Sequence, residues 1–167
     1  MDTVAMDLTG PSDLLQGNTL LTLIDLYSHY PEVHVPKQAN SRAIIDALTT
    51  TSKFGLPQTI LTDNSTPFVS AEFESFLSSC GITRERTSNF HPRGNGTIER
   101  FHSSLKTRLK KILYEEKIPL FTAIEKVLYD LRSAPHGMSG ETPFFRFVGR
   151  PMPLSCCSGD PSYTHLS

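Results

Sequence analysis

The run Thr19-Leu20-Leu21-Thr22-Leu23-Ile24-Asp25-Leu26-Tyr27 is apolar at odd and even positions alike. Successive side chains of a strand point to opposite faces, so a strand of this composition needs cover on both sides. It reads as a buried central strand. Shorter strands flank it. Thr3 to Leu8 reads as the first, broken by Thr9-Gly10-Pro11, with Pro11 to Asn18 as a hairpin connection. Glu32 to Val35 reads as the third and ends at Pro36. Three strands in succession predict an antiparallel meander.

The pattern then changes period. Asn40 or Ser41 caps a helix carrying Ala43, Ile44, Ala47 and Leu48, and Phe54-Gly55-Leu56-Pro57 stops it. Gln58 to Thr62 is a fourth strand ending at Asp63. Ser70 caps a helix with Phe73, Phe76 and Leu77, which Gly81 terminates, and Ile82 to Thr87 is a fifth strand. A long helical pattern follows, divided by Ile118-Pro119 from a last helix, Leu120 to Leu131. From Ser133 to Ser167 the chain is rich in Pro, Gly and Ser and reads as mostly irregular. The expected fold class is α/β, a five-stranded mixed sheet with helices on both faces.

At 167 residues and 38% hydrophobic, the chain suits one domain with a sizeable core rather than a disordered segment. No apolar run reaches membrane-spanning length, and Met1 to Gly10 lacks the pattern of a signal peptide. No membrane partner is expected, and the expected location is nuclear or cytoplasmic, not secreted. Cys80, Cys156 and Cys157 have no zinc-binding spacing and read as reduced thiols. The net charge of −1 is unevenly spread. Residues 1–83 carry three basic and nine acidic side chains, residues 84–117 nine basic and four acidic, and residues 118–167 four of each. The basic patch therefore coincides with the long helix and its approach, and a local patch can track phosphates on a nearly neutral protein.

That helix is entered from the loop His91-Pro92-Arg93-Gly94-Asn95-Gly96-Thr97, whose glycines permit movement. Glu99 is expected in the first helical turn, where the dipole favours a carboxylate. At about 100° per residue, Glu99, Ser103, Lys106 and Lys110 share one face, and Ile98, Phe101, Leu105, Leu109 and Ile112 share the inward one. The polar face reads either as a solvated amphipathic surface or as a metal ligand beside a phosphate track.

The strand ends bear on that choice. Asp7 and Asp63 each close a strand at a turn, where sites form in α/β sheets, and 35 residues separate Asp63 from Glu99. Three carboxylates brought together repel one another unless cations hold them. Hard oxygen ligands of this kind suit Mg²⁺ or Mn²⁺, and a pair of such ions about 3.5–4 Å apart serves phosphoryl transfer. Asp25, one strand over, reads as structural and hydrogen-bonded at the sheet edge.

These residues resemble the catalytic core of retroviral and gypsy-type retrotransposon integrases, members of the ribonuclease H-like superfamily. Met6-Asp7-Leu8-Thr9-Gly10-Pro11 resembles the first-acid motif, and Leu61-Thr62-Asp63-Asn64-Ser65-Thr66-Pro67-Phe68 the second. His91-Pro92 through Glu99-Arg100-Phe101 resembles the third, at the family's 35-residue interval. Leu23 to Tyr30 and Thr142-Pro143-Phe144 to Pro151 resemble the second strand and the segment closing the core. The likeness implies a ribonuclease H-like core over residues 3–154 and an irregular tail over 155–167.

It further implies metal-dependent cleavage of DNA 3′ ends and strand transfer. Asp7, Asp63 and Glu99 would be the catalytic metal ligands for two ions. Asn95, Ser103, Lys106 and Lys110 would be the DNA-contacting candidates, with DNA and a homo-dimer or higher multimer as partners. The Ala43–Leu48 and Leu120–Leu131 helices are the expected pairing elements. Ser65 stands where the family usually has Gly, and a positive φ there would make it costly. Arg93 and Gly94 also depart from the family's loop. The flanking zinc module and basic C-terminal module are not read in this sequence. It is therefore expected to be an isolated or truncated core. The alternative is a host-captured or catalytically impaired remnant that binds nucleic acid or protein.

Overall fold

The computed structural model describes residues 2–51, 55–86, 92–137 and 140–153, and for residues 92–95 the backbone alone. Its strands are β1 (Thr3–Thr9), β2 (Leu20–Asp25), β3 (Pro31–His34), β4 (Thr59–Thr62) and β5 (Thr83–Arg86). They form a five-stranded sheet in the order β3-β2-β1-β4-β5. β1 pairs antiparallel with β2, and β2 with β3; β1 pairs parallel with β4, and β4 with β5. The meander and the mixed sheet are as the sequence predicts. Every residue of β2 is buried, as its apolar run requires.

The helices are α1 (Ser41–Thr51), α2 (Ala71–Ser79), α3 (Pro92–Glu116), α4 (Leu120–Ser133) and α5 (Pro143–Val148). Strand alternation assigns them to two faces. Val4, Met6, Leu21, Leu23 and Ile60 pack with Ile44, Leu48, Phe73 and Leu77 of α1 and α2. On the opposite face Ala5, Ile24 and Leu61 pack against Ile98 of α3. Leu20 there joins Leu105 and Leu109 of α3 and Ile124 and Val127 of α4. Each such side chain contributes about 1.5–3 kcal/mol on full burial, so α3 is anchored along its length. Local signals set the helix ends. Asn40 Oδ1 accepts from Ala43 N at 2.9 Å, and Ser70 Oγ accepts from Phe73 N at 3.2 Å. Gly81, at φ +68°, lets Ile82 N donate to Leu77 O and close α2. No helix among the described residues is long and apolar enough to cross a membrane.

Several expectations need correction. The glycine-rich stretch is not a loop up to Glu99: α3 already begins at Pro92. Proline suits a first helical position because its missing N–H has no partner there. The helical glycines cost about 1 kcal/mol each, less than the buried face of the helix returns. Glu99 thus lies beyond the first turn, outside the reach of the helix dipole. Asp7 does not close its strand but sits inside β1, two residues before Thr9. The hairpin connection contains a 3-10 turn, Asp13–Leu15. The segment after Ser133 is not wholly irregular, because Thr142 Oγ1 accepts from Phe145 N and caps α5. The Ser65 expectation is settled by its φ of −64°, an ordinary extended conformation that carries no strain. Residues 155–167 and His91 lie outside the described residues, as does the side chain of Asn95.

Candidate active site

Asp7 shares a face with Ala5 because alternate residues of a strand point the same way, and that is the face α3 covers. Its register partner on β2 is Thr22, fully buried. Asp63 follows β4 directly and is exposed. Its carboxylate Oδ1 accepts from Ser65 N at 3.0 Å, which sets the turn out of the strand. β4 lies parallel beside β1 with Ala5 opposite Leu61, so Asp7 and Asp63, each two residues further on, stand near the same end of the two strands. Glu99 is exposed on α3, one residue after the buried Ile98.

The electrostatics tie these groups together. Burial first, and then the Asp63 carboxylate, push the Asp7 carboxyl up to about 6; Glu99 adds a smaller push. The Leu8 backbone amide and the Lys106 ammonium act the other way. Asp7 therefore feels two other acids and one cation, each from a different position in the chain. Asp25 takes no part. It is buried, and its Oδ2 accepts from Ser28 N at 2.8 Å and Ser28 Oγ at 2.5 Å, so its structural assignment stands. It lies at the end of β2, an inner strand, rather than at the sheet edge.

The sequence reading overlooked His102. The residue is buried, with Nε2 3.0 Å from Thr22 Oγ1 and Nδ1 3.4 Å from Asp7 Oδ2. Burial, and then Lys106, lower its pKa to about 4. At neutral pH the imidazole is uncharged, so its contact with Asp7 is no ion pair. A signal was available: His102 is one turn beyond Glu99 and one turn before Lys106, at the border between the core face and the polar face of α3.

The donor set suits a hard divalent cation, since it consists of carboxylate oxygens whose mutual repulsion such an ion relieves. The described residues nevertheless hold no preassembled group of three His, Cys, Asp or Glu side chains at metal-binding separation. Asp63 and Glu99 both lie near enough to act on the Asp7 carboxyl, without the three forming such a group. Among the DNA-contacting candidates, Ser103, Lys106 and Lys110 are exposed along α3. Lys106 alone of these is placed by its influence on both Asp7 and His102.

The integrase core domain model matches residues 2–92, more than half of the chain. The chain belongs to the integrase core domain family. The match takes in Asp7 and Asp63 and stops short of Glu99. Uncharacterized protein K02A2.6 of Caenorhabditis elegans is 33% identical over 149 residues, covering 88% of this chain and 11% of that protein. The Gag-Pol polyprotein of feline leukemia virus is 29% identical over 139 residues, covering 81% of this chain and 8% of the polyprotein. The integrase core here thus spans about a tenth of the length of these relatives. Among solved structures, the integrase catalytic core domain of HTLV-2 in complex with magnesium, in a trimeric form, superposes with a TM-score of 0.73 and 27% identity. That superposition covers 86% of this chain and 93% of the HTLV-2 chain. The fold is the ribonuclease H-like fold of integrase catalytic cores, as expected from the motifs.

Proposed function

We propose that this integrase core catalyses metal-dependent cleavage and joining at DNA 3′ ends, with Asp7, Asp63 and Glu99 holding two Mg²⁺ or Mn²⁺ ions. The observation that carries the reading is the Asp7 carboxyl, raised to about 6 by burial and by Asp63, with Glu99 and Lys106 acting on the same group. Divalent ions bound there supply activation of an attacking water or 3′-hydroxyl and stabilisation of the leaving oxygen. The chain's own residues provide the frame. β1 and β4 present Asp7 and Asp63 from a rigid sheet, and α3 carries Glu99 across from them. Lys106 stands one turn past His102, placed to hold a phosphate beside the acids. DNA is the proposed partner, together with a second copy of the chain paired through α1 and α4, where Phe121 is 64% exposed. A nuclear or cytoplasmic location fits this reading.

Glu99→Gln tests the assignment. Because Glu99 is exposed, the variant should melt within about 0.5 kcal/mol of the parent, while Mn²⁺-dependent joining of a branched DNA substrate disappears. Undiminished joining by the variant would remove Glu99 from the ligand set.

The phosphate role has its own test. Lys106→Ala should weaken DNA binding and reduce the slope of log K against log salt by roughly one. An unchanged slope would return Lys106 to the solvated face of an ordinary amphipathic helix.

A second reading is a remnant that binds nucleic acid or protein without catalysis. It is favoured by the absence, among the described residues, of a preassembled three-ligand cluster. Calorimetric titration with Mn²⁺ separates the two, since a remnant without a working site takes up no ion.

A further inference from the structure

We infer that His102 is a positioning residue for Asp7, holding that carboxylate toward the region shared with Asp63 and Glu99 from a ring anchored on Thr22. The inference rests on the proposed reading of Asp7 as a metal ligand.

The two ring nitrogens face different strands. An ionised carboxylate offers no hydrogen, so Nδ1, the nitrogen facing Asp7 Oδ2, presents an N–H to it. Nε2 lies 3.0 Å from Thr22 Oγ1, within hydrogen-bond distance. Thr22 is fully buried and is the cross-strand partner of Asp7. Cross-strand partners lie on the same face of a sheet, so the hydroxyl and the carboxylate stand side by side under the ring. With one nitrogen held by β2 and the other aimed at β1, the ring cannot rotate without losing a partner. The 3.4 Å separation from Asp7 exceeds the range of roughly 2.7–3.2 Å for a full N–H···O bond. The contact therefore acts as an oriented N–H dipole that selects the carboxylate's direction.

Positioning contacts of this kind, just outside the ligands, commonly affect metal affinity by about 10–100-fold. Side-chain stereochemistry supplies a discriminating test. In Asn the amide nitrogen can occupy the place of the imidazole Nδ1, and in Gln the place of Nε2. His102→Asn keeps the donor toward Asp7 and gives up Thr22. His102→Gln keeps Thr22 and gives up Asp7, and His102→Leu gives up both.

Mn²⁺ alone is titrated calorimetrically into the whole chain and each variant, with melting temperatures recorded in parallel. The wild type and His102→Asn should bind with similar affinity, and His102→Gln and His102→Leu about 10-fold more weakly. The Asn–Gln difference should persist whatever the order of melting temperatures. Equal affinities for the Asn and Gln variants, or affinities that merely follow thermal stability, would overturn the inference while leaving the metal reading in place. Absence of Mn²⁺ binding to the wild type would overturn the metal reading and this inference with it. Should His102→Leu fail to fold, the comparison of Asn with Gln still decides the matter.

Discussion

Asp7→Asn is expected to abolish Mn²⁺ binding and, in the same protein, to raise the melting temperature of the metal-free chain. The two effects have one origin. In the folded chain, burial and the Asp63 carboxylate raise the Asp7 carboxyl from 3.8 to about 6. Ionising it at neutral pH therefore costs the native state about 3 kcal/mol, an upper figure because the side chain is 27% exposed. Asn removes that cost. A gain of about 1–3 kcal/mol corresponds to roughly 2–10 °C for a chain of this size.

The sign of the pH dependence is fixed. A carboxyl raised on folding favours the native state most below its unfolded value, and that advantage is lost as the pH rises through the folded value. The gain from Asn should thus be absent below about pH 4 and complete above about pH 6. Saturating Mn²⁺ reverses the order, because only the wild type is stabilised by the ion, by about 4.1 kcal/mol at a thousandfold excess over Kd. Melting curves of both proteins at pH 4 and pH 7.5, with and without Mn²⁺, check all of this. A metal-free variant that melts at or below the wild type at pH 7.5 would sink the account of Asp7.

Leu105→Ala should be among the most damaging single truncations. Leu105 is fully buried and belongs to the cluster in which α3 meets Leu20 of β2 and Ile124 and Val127 of α4. Removing its side chain leaves a cavity between three elements that cannot all close on it, and such changes cost about 2–5 kcal/mol. Domains have only about 5–15 kcal/mol in total. The expected fall in melting temperature is about 5–15 °C, and it should be insensitive to pH and to salt because no charge is altered. Tyr114→Ala, at a position 82% exposed, serves as the control and should stay within about 0.5 kcal/mol of the parent. A melting temperature for Leu105→Ala within 2 °C of the parent would mean that α3 is not held by this cluster.

Local chemistry made much of this protein readable from its sequence. The apolar run from Thr19 to Tyr27 suited a covered strand; its Leu20–Asp25 portion forms β2, buried at every position, while Tyr27 lies beyond the strand and is 70% exposed. The spacing of Ile98, Leu105 and Leu109 marked the inward face of α3, and all three are buried. Asn40 and Ser70 cap helices because their side chains satisfy amides a few residues away. The acids were legible through the resemblance, and Asp7 and Asp63 lie within the family match.

What the sequence left open depends on groups that meet only after the chain has folded. The start of α3 at Pro92 could not be read from local propensity, because packing of its later turns outweighs the glycines. The register that sets Asp7 opposite Thr22 is a property of two paired strands. His102 reaches Thr22 across 80 positions of sequence. The raised carboxyl of Asp7 arises from burial and from Asp63, just past the end of a neighbouring strand. Periodicity and capping act within a few residues and leave their mark on the sequence. Desolvation, cross-strand register and charge proximity act through space, and only the packed sheet and helices determine them.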